Sequence, residues 1–175
     1  LGQSTLSGGS AAVQGSFEWK DSGIKPNSGL QDCTVVFTPD DMENYNAAEQ
    51  AVTVTVAKKT LTPSVVSVED KEYDGGTAAT GTVTLDGAVS GDDPTATGVF
   101  TFDSANAGQN KTVTVAVALD GDWGNNYVLS TTGLSAIATI TAKTVGLEWH
   151  GYENLTYTGQ PVSVTAAATG LAVGD

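Results

Sequence analysis

Lys111-Thr112-Val113-Thr114-Val115-Ala116-Val117-Ala118-Leu119 alternates side chains with a strict period of two. A strand turns successive side chains to opposite faces, so Val113, Val115, Val117 and Leu119 fall on one face and the threonines and alanines on the other. Thr and Val are β-branched and stiff at χ1, which favours strand over helix. Working outward, residues 63–69 form a Val-rich run, residues 79–86 alternate Thr with apolar residues, and residues 98–103 put Phe100 and Phe102 on one face. Residues 127–130 and 136–142 complete the series. Turn formers separate these runs: Asp70-Lys71-Glu72, residues 87–94, and Asp120-Gly121-Asp122-Trp123-Gly124-Asn125-Asn126. No stretch shows a 3.6-residue period over helical length. The pattern predicts an all-β fold built as a two-sheet antiparallel sandwich. One short helical turn is expected elsewhere, with Thr38 as cap, Pro39 in the first helical position, Asp40 and Asp41 at the positive end of the dipole, and residues 42–45 forming the turn.

The chain repeats itself. Val56-Ala57-Lys58-Lys59-Thr60 matches Ile140-Thr141-Ala142-Lys143-Thr144, and Tyr73-Asp74-Gly75 matches Tyr157-Thr158-Gly159, both displaced by 84 residues (140 − 56 and 157 − 73). Asn44-Tyr45 matches Asn126-Tyr127 at 82 (126 − 44), and Gly15-Ser16-Phe17-Glu18-Trp19 matches Gly98-Val99-Phe100-Thr101-Phe102 at 83 (98 − 15). Ordered matches at near-constant spacing are the signature of an array. They predict a complete unit at 59–142, the later part of a preceding unit at 1–58, and the opening part of a following unit at 143–175. Tyr45 and Tyr127 are then expected in equivalent places, each ring packed over the end of its unit. Residues 143–175 are too few to bury enough apolar surface alone, so Val162, Val164 and Leu171 are expected to need a partner. The segment is expected to pair beside the middle unit more readily than between chains, although the two ends are complementary.

Composition narrows the function. Twenty acidic residues stand against seven basic ones, all Lys, for a net charge of −13. Without Arg, and with this charge, no phosphate-contacting stripe can form, so nucleic acid is excluded as a partner. Anionic membrane surfaces are disfavoured on the same ground, and no apolar window is long enough to span a bilayer. The charge reads as solubility and self-repulsion along an extended assembly. Cys33 is the single cysteine; no intrachain disulfide can form, and its alternation with Val35 and Phe37 makes it a small core residue. No secretory signal or sorting tail is present, and any such signal is expected outside these residues.

Lys71-Glu72-Tyr73-Asp74-Gly75-Gly76-Thr77, then Gly91-Asp92, Ala105-Asn106-Ala107-Gly108 and Asn126-Tyr127, resembles the YDG-type repeat of bacterial surface proteins. Gly15-Ser16-Phe17-Glu18-Trp19 through Phe37-Thr38-Pro39-Asp40-Asp41 to Asn44-Tyr45 resembles the companion MBG-type repeat and the end of a bacterial Ig-like domain. Cys33 departs from that pattern, which usually carries an aromatic residue there. The resemblance implies tandem Ig-like modules, with β-grasp-like modules as the alternative fold. It also implies an extracellular or cell-surface location, where such repeats serve as stalks or adhesive arms. Neighbouring repeats of the same protein are the expected partners. The function expected is a structural spacer in a secreted or wall-attached protein; the alternative is an adhesion module binding host or matrix glycans or proteins.

No catalytic, cofactor-binding or metal-binding residue is assigned. His150, beside Trp149 and Gly151, reads as a linker histidine, and one His with one Cys lacks the surroundings of a triad. Asp40-Asp41 and Asp92-Asp93 are adjacent acids, not the spaced pair a glycosidase needs. Asp120-Gly121-Asp122-Trp123-Gly124-Asn125 has oxygen groups at alternate positions but lacks the closing Glu of a calcium loop, so a plain loop is expected. Trp19 reads as core, and Trp123 and Trp149 as end covers. Three separated tryptophans make a poor sugar platform.

Overall fold

Thirteen strands are found among the residues described by this computed structural model, namely 1, 4–151 and 153–172. In chain order they are β1 (Gly15–Trp19), β2 (Gly29–Pro39), β3 (Ala48–Val56), β4 (Lys59–Val68), β5 (Lys71–Glu72), β6 (Ala78–Ala79), β7 (Gly81–Asp86) and β8 (Ala96–Phe102). Then follow β9 (Gly108–Leu119), a 3-10 turn (Gly121–Asn125), β10 (Tyr127–Leu129), β11 (Gly133–Thr141), β12 (Gly146–His150) and β13 (Thr165–Thr169). The protein is all-β. No α-helix is present among the described residues, so the β-grasp alternative lacks the helix on which its sheet would pack.

The middle of the chain builds two sheets, β10-β4-β7 and β5-β11-β9-β8-β6. Val113, Val115 and Val117 are buried from β9, beside Phe100 and Phe102 of β8 and Ala138 and Ile140 of β11. Thr112, Thr114, Ala116 and Ala118, the other face of β9, are exposed. Val65, Val68, Val83 and Leu129 of the smaller sheet pack against that cluster, so both sheets contribute side chains to one core. Val66 escapes the alternation because the β4–β7 register shifts between Val65 and Ser67, and the extra residue turns Val66 outward.

The pairing is not wholly antiparallel. β10 runs parallel to β4, with Tyr127 opposite Lys59, and β5 runs parallel to β11, with Lys71 opposite Ile140. Lys71 and Glu72, read from composition as a turn, are therefore strand. Parallel neighbours must be joined by long connections, and no local pattern announces them.

The N-terminal sheet is β1-β2-β3, antiparallel throughout. Its neighbours run in the same order as β8, β9 and β11. Phe17 lies opposite Phe37 and Trp19 opposite Val35, as Phe100 lies opposite Val115 and Phe102 opposite Val113. The helical turn is displaced from its expected cap: Pro39 ends β2, and Thr38 is paired with Ser16 inside the ladder. Asp41 caps instead, accepting from the Asn44 backbone N–H at 3.2 Å and side-chain N–H at 2.8 Å, while Tyr45 N–H bonds to the Asp41 carbonyl at 3.1 Å.

The last sheet is the hairpin β12-β13, and neither strand pairs with the middle sheets. The expected extension of residues 143–175 beside the middle unit is therefore absent among the described residues. His150, read as a linker residue, ends β12. A two-residue link, Ala57-Lys58, separates β3 from β4.

Candidate functional site

Asn126 and Tyr127 stand where the 3-10 turn meets β10, at the end of the middle sheets facing the N-terminal sheet. Tyr127 is 2% exposed. Its hydroxyl donates to the Asp92 carboxylate and accepts from the Val89 backbone N–H at 3.1 Å. Trp123 from the 3-10 turn meets the ring edge-on, centroids 6.0 Å apart. The bond to Asp92, then burial, holds the phenol pKa above its ordinary value. Gly91 shapes this arrangement. Its φ of +95°, a conformation glycine tolerates, turns the chain so that Asp92 N–H bonds back to the Val89 carbonyl at 3.0 Å.

Asn126 faces the other way, across the joint. Its side-chain oxygen accepts from Ser28 N–H at 2.8 Å, and its side-chain N–H donates to the Asn27 side-chain oxygen at 3.0 Å. Its backbone carbonyl accepts from Lys59 N–H at 2.9 Å, the first residue of β4. The Ser28 hydroxyl donates to the Asn125 carbonyl, and the Lys58 ammonium to that of Gly124. The loop before β2, the linker and the 3-10 turn are thus tied together on both sides of Ala57-Lys58. A groove of about 500 Å³ runs along this joint, lined by Lys25, Pro26, Val56, Val89 and Tyr127 among others.

The Lys71–Gly76 stretch makes a second closed arrangement. Lys71 Nζ lies 2.7 Å from Asp74 Oδ1, donates to the Gly76 carbonyl at 2.9 Å and sits 5.7 Å from the Phe102 ring centroid. Asp74 Oδ1 also accepts from Gly76 N–H at 2.8 Å. Gly75, at φ +82°, makes that return possible. The Lys71 hydrogen bond, followed by the Gly76 N–H, holds the Asp74 carboxyl below its ordinary pKa. Lys111 does the same for Asp103 at 2.7 Å, and donates to Ser104 at 2.6 Å. Each of these charges is committed to holding a turn.

The other candidates from the sequence are dispersed. Asp120 accepts from the Thr97 hydroxyl at 2.7 Å, while Asp122 lies on the joint side of the 3-10 turn. No three His, Cys, Asp or Glu side chains are grouped to hold a metal ion among the described residues. Trp19, Trp123 and Trp149 belong to β1, the 3-10 turn and β12 respectively. Cys33 is half-buried with a free thiol. Tyr45 is 48% exposed, against the expectation that it matches Tyr127. Tyr127 is enclosed by β4 and the Val89–Asp92 loop, and among the described residues no second sheet is hydrogen-bonded or packed in the same way on β1-β2-β3. Asn27 and Ser28 were not singled out by sequence, and Lys58 only as part of a repeat anchor; Pro26-Asn27-Ser28-Gly29 announces a turn, but nothing local names Asn126 as its partner.

These features define a β-sheet unit whose short, ordered signature residues close turns and one joint. A YDG domain is found at residues 57–136, which spans the middle sheets through the first part of β11. No curated protein and no solved structure matches the chain. No helix among the described residues is long and apolar enough to cross a membrane.

Proposed function

We propose that this chain is a structural spacer, a run of tandem repeats from the stalk of a secreted or wall-attached bacterial surface protein. Its divisions are the later part of an MBG-type, Ig-like repeat at 1–58, a complete YDG-type repeat at 59–142 and the opening part of the next repeat at 143–175, and it carries out no catalysis. The observation that carries this reading is the joint. A two-residue linker clasped by Asn126, Ser28, Asn27 and Lys58 restricts bending between one unit and the next. A stalk needs that property, because a flexible chain of beads collapses to a span growing only as the square root of its length. The net charge of −13 suits a surface that meets water.

The test is whether the two sides of the joint tumble together. Residual dipolar couplings from β1-β3 amides and from β8, β9 and β11 amides should fit one alignment frame. Inserting Gly-Ser-Gly-Ser between Ala57 and Lys58 should split them into two. Two independent frames in the unaltered chain would refute the spacer reading.

A second reading, an adhesion module, draws on the exposure of Leu147 (61%) and Trp149 (55%) on one hairpin. Binding to a glycan array that is lost in Trp149→Ala would favour it.

A further inference from the structure

The two sides of the joint enclose an open cleft. Asn27 and Ser28, from the loop before β2, form one wall; Asp122, Trp123, Asn125 and Asn126, from the 3-10 turn and its end, form the other. Its volume is about 610 Å³. That lies inside the range of about 300–1,000 Å³ usual for small-molecule sites, which favour the seams between structural units. The walls are held at a fixed spacing. Asn126 bonds to Asn27 at 3.0 Å and to Ser28 at 2.8 Å, and the Ser28 hydroxyl donates to the Asn125 carbonyl. A cleft fixed in this way before a ligand arrives loses little entropy when it binds.

Three of its side chains are not used up by the fold. The Asp122 carboxylate and the Asn125 side-chain amide are exposed and, among the described residues, bond to no other protein group. Trp123 is half-buried: it meets Tyr127 at an interplanar angle of 62° and still lines the cleft. The turn itself does not need the indole. With Asn44-Tyr45 set against Asn126-Tyr127, Trp123 falls opposite Asp41 (123 − 82). The N-terminal turn closes on hydrogen bonds between Asp41 and Asn44, with no aromatic residue before Tyr45.

This lining selects a chemistry. Trp123 offers a flat apolar ring. Asp122 supplies a two-oxygen acceptor, Asn125 a donor and an acceptor, and Asn27, whose side-chain oxygen is taken by Asn126, a donor. A pyranose matches that set, because it has a face of C–H bonds and a rim of hydroxyls that both donate and accept. One carboxylate is too few for a calcium ion, and no three metal-ligating side chains are grouped among the described residues. A phosphate or sulfate is repelled by Asp122 and by the net charge of −13, and the nearby Lys58 ammonium is turned to the Gly124 carbonyl. We propose that the joint cleft binds a neutral pyranose oligosaccharide, with Trp123 stacked on one ring and Asp122, Asn125 and Asn27 holding its hydroxyls. The site is distinct from Trp149 of β12, and the stiffness of the joint comes from the clasp whether or not a sugar is bound.

The test is an NMR titration of the full chain with cellotetraose, maltotetraose, mannotetraose and chitotetraose. These four neutral chains differ in linkage and in the acetamido group, so the one that binds distinguishes an aminosugar glycan from a plain hexose polymer. At least one should give saturable shifts at the Trp123 indole N–H and at the Asn27 and Asn125 side-chain amides. The dissociation constant should be on the order of 1 mM, as befits an open cleft with a single aromatic ring. Trigalacturonate, the acidic control, should bind about tenfold more weakly or not at all. Trp123→Ala should abolish the shifts. Because that change also strips a contact from Tyr127, Asp122→Ala and Asn125→Ala carry the decision. Neither side chain holds the fold, and each truncation should weaken binding about tenfold, with the amide shifts of Ser28, β8, β9 and β11 unchanged. No saturable shift from any of the four at about 10 mM, unchanged affinity in both Asp122→Ala and Asn125→Ala, equal binding of trigalacturonate, or binding lost in Trp149→Ala and kept in Trp123→Ala would each overturn the proposal.

Discussion

Val115→Ala tests the core of the middle sheets at its centre. Val115 is 1% exposed and lies opposite Phe100 on one side and Leu134 on the other. Removing two methyl groups forfeits about 1.6 kcal/mol of transfer free energy at about 0.8 per carbon. If the surrounding rings do not collapse, a void of about 50 Å³ adds roughly 1 kcal/mol at about 24 cal/mol per Å³. The expected loss is therefore about 2–3 kcal/mol, which for a unit of this size lowers its melting temperature by about 10–20 °C. The control is the next residue. Ala116→Val places a β-branched side chain on the exposed face beside Val99 and Gly133 and should stay within about 0.5 kcal/mol of the parent. Calorimetry of the full chain gives the global number. Hydrogen exchange at the amides of β8, β9 and β11 assigns it to this unit. A loss below about 0.5 kcal/mol for Val115→Ala, or greater damage from Ala116→Val, would mean that the inward and outward faces of β9 have been exchanged.

Acid should weaken the fold through Asp74 and Asp103. Their folded pKa values lie below the ordinary carboxylate value of about 3.9, so their contribution is present above that value and is lost as pH falls through the lower folded one. Asp74→Asn combined with Asp103→Asn should flatten the dependence of the urea midpoint on pH in that window; an unchanged slope would discard both ion pairs as contributors. Tyr127 acts at the other end. Its raised phenol pKa contributes stability that is present below about pH 10 and lost as pH climbs through the folded value, so Tyr127→Phe should remove that alkaline fall and lower stability at neutral pH. Asn126→Ala deletes two hydrogen bonds across the joint, each worth about 0.5–1.5 kcal/mol net. Small-angle scattering should then report a broader range of end-to-end distances, while the melting temperature of the middle unit stays near that of the parent.

Much of the architecture was legible in short stretches of sequence, because the information is local. The period of two in residues 111–119 sorts Val113, Val115 and Val117 from Thr112 and Thr114 before any partner strand is known, since the pleat alone sets side-chain direction. The Phe100-Thr101-Phe102 alternation reads in the same way. Ordered matches at 82 to 84 residues marked the Asn-Tyr and Lys-Thr anchors without reference to a structure. What only tertiary structure decided depends on residues far apart in sequence. The parallel pairing of β10 with β4 joins Tyr127 to Lys59, and that of β11 with β5 joins Ile140 to Lys71; no periodicity within either strand carries the direction of its neighbour. The same two-letter anchor Asn-Tyr has opposite fates. Tyr127 is enclosed because β4 and the Val89–Asp92 loop fold over it, and Tyr45 is half exposed because no second sheet among the described residues stands beside β1-β2-β3. Asn126 likewise acquires its role only when folding brings Asn27 and Ser28, some hundred residues earlier, within hydrogen-bond reach. A side chain's direction is a property of its own strand, whereas its burial and its bonds belong to whatever the rest of the chain places against it.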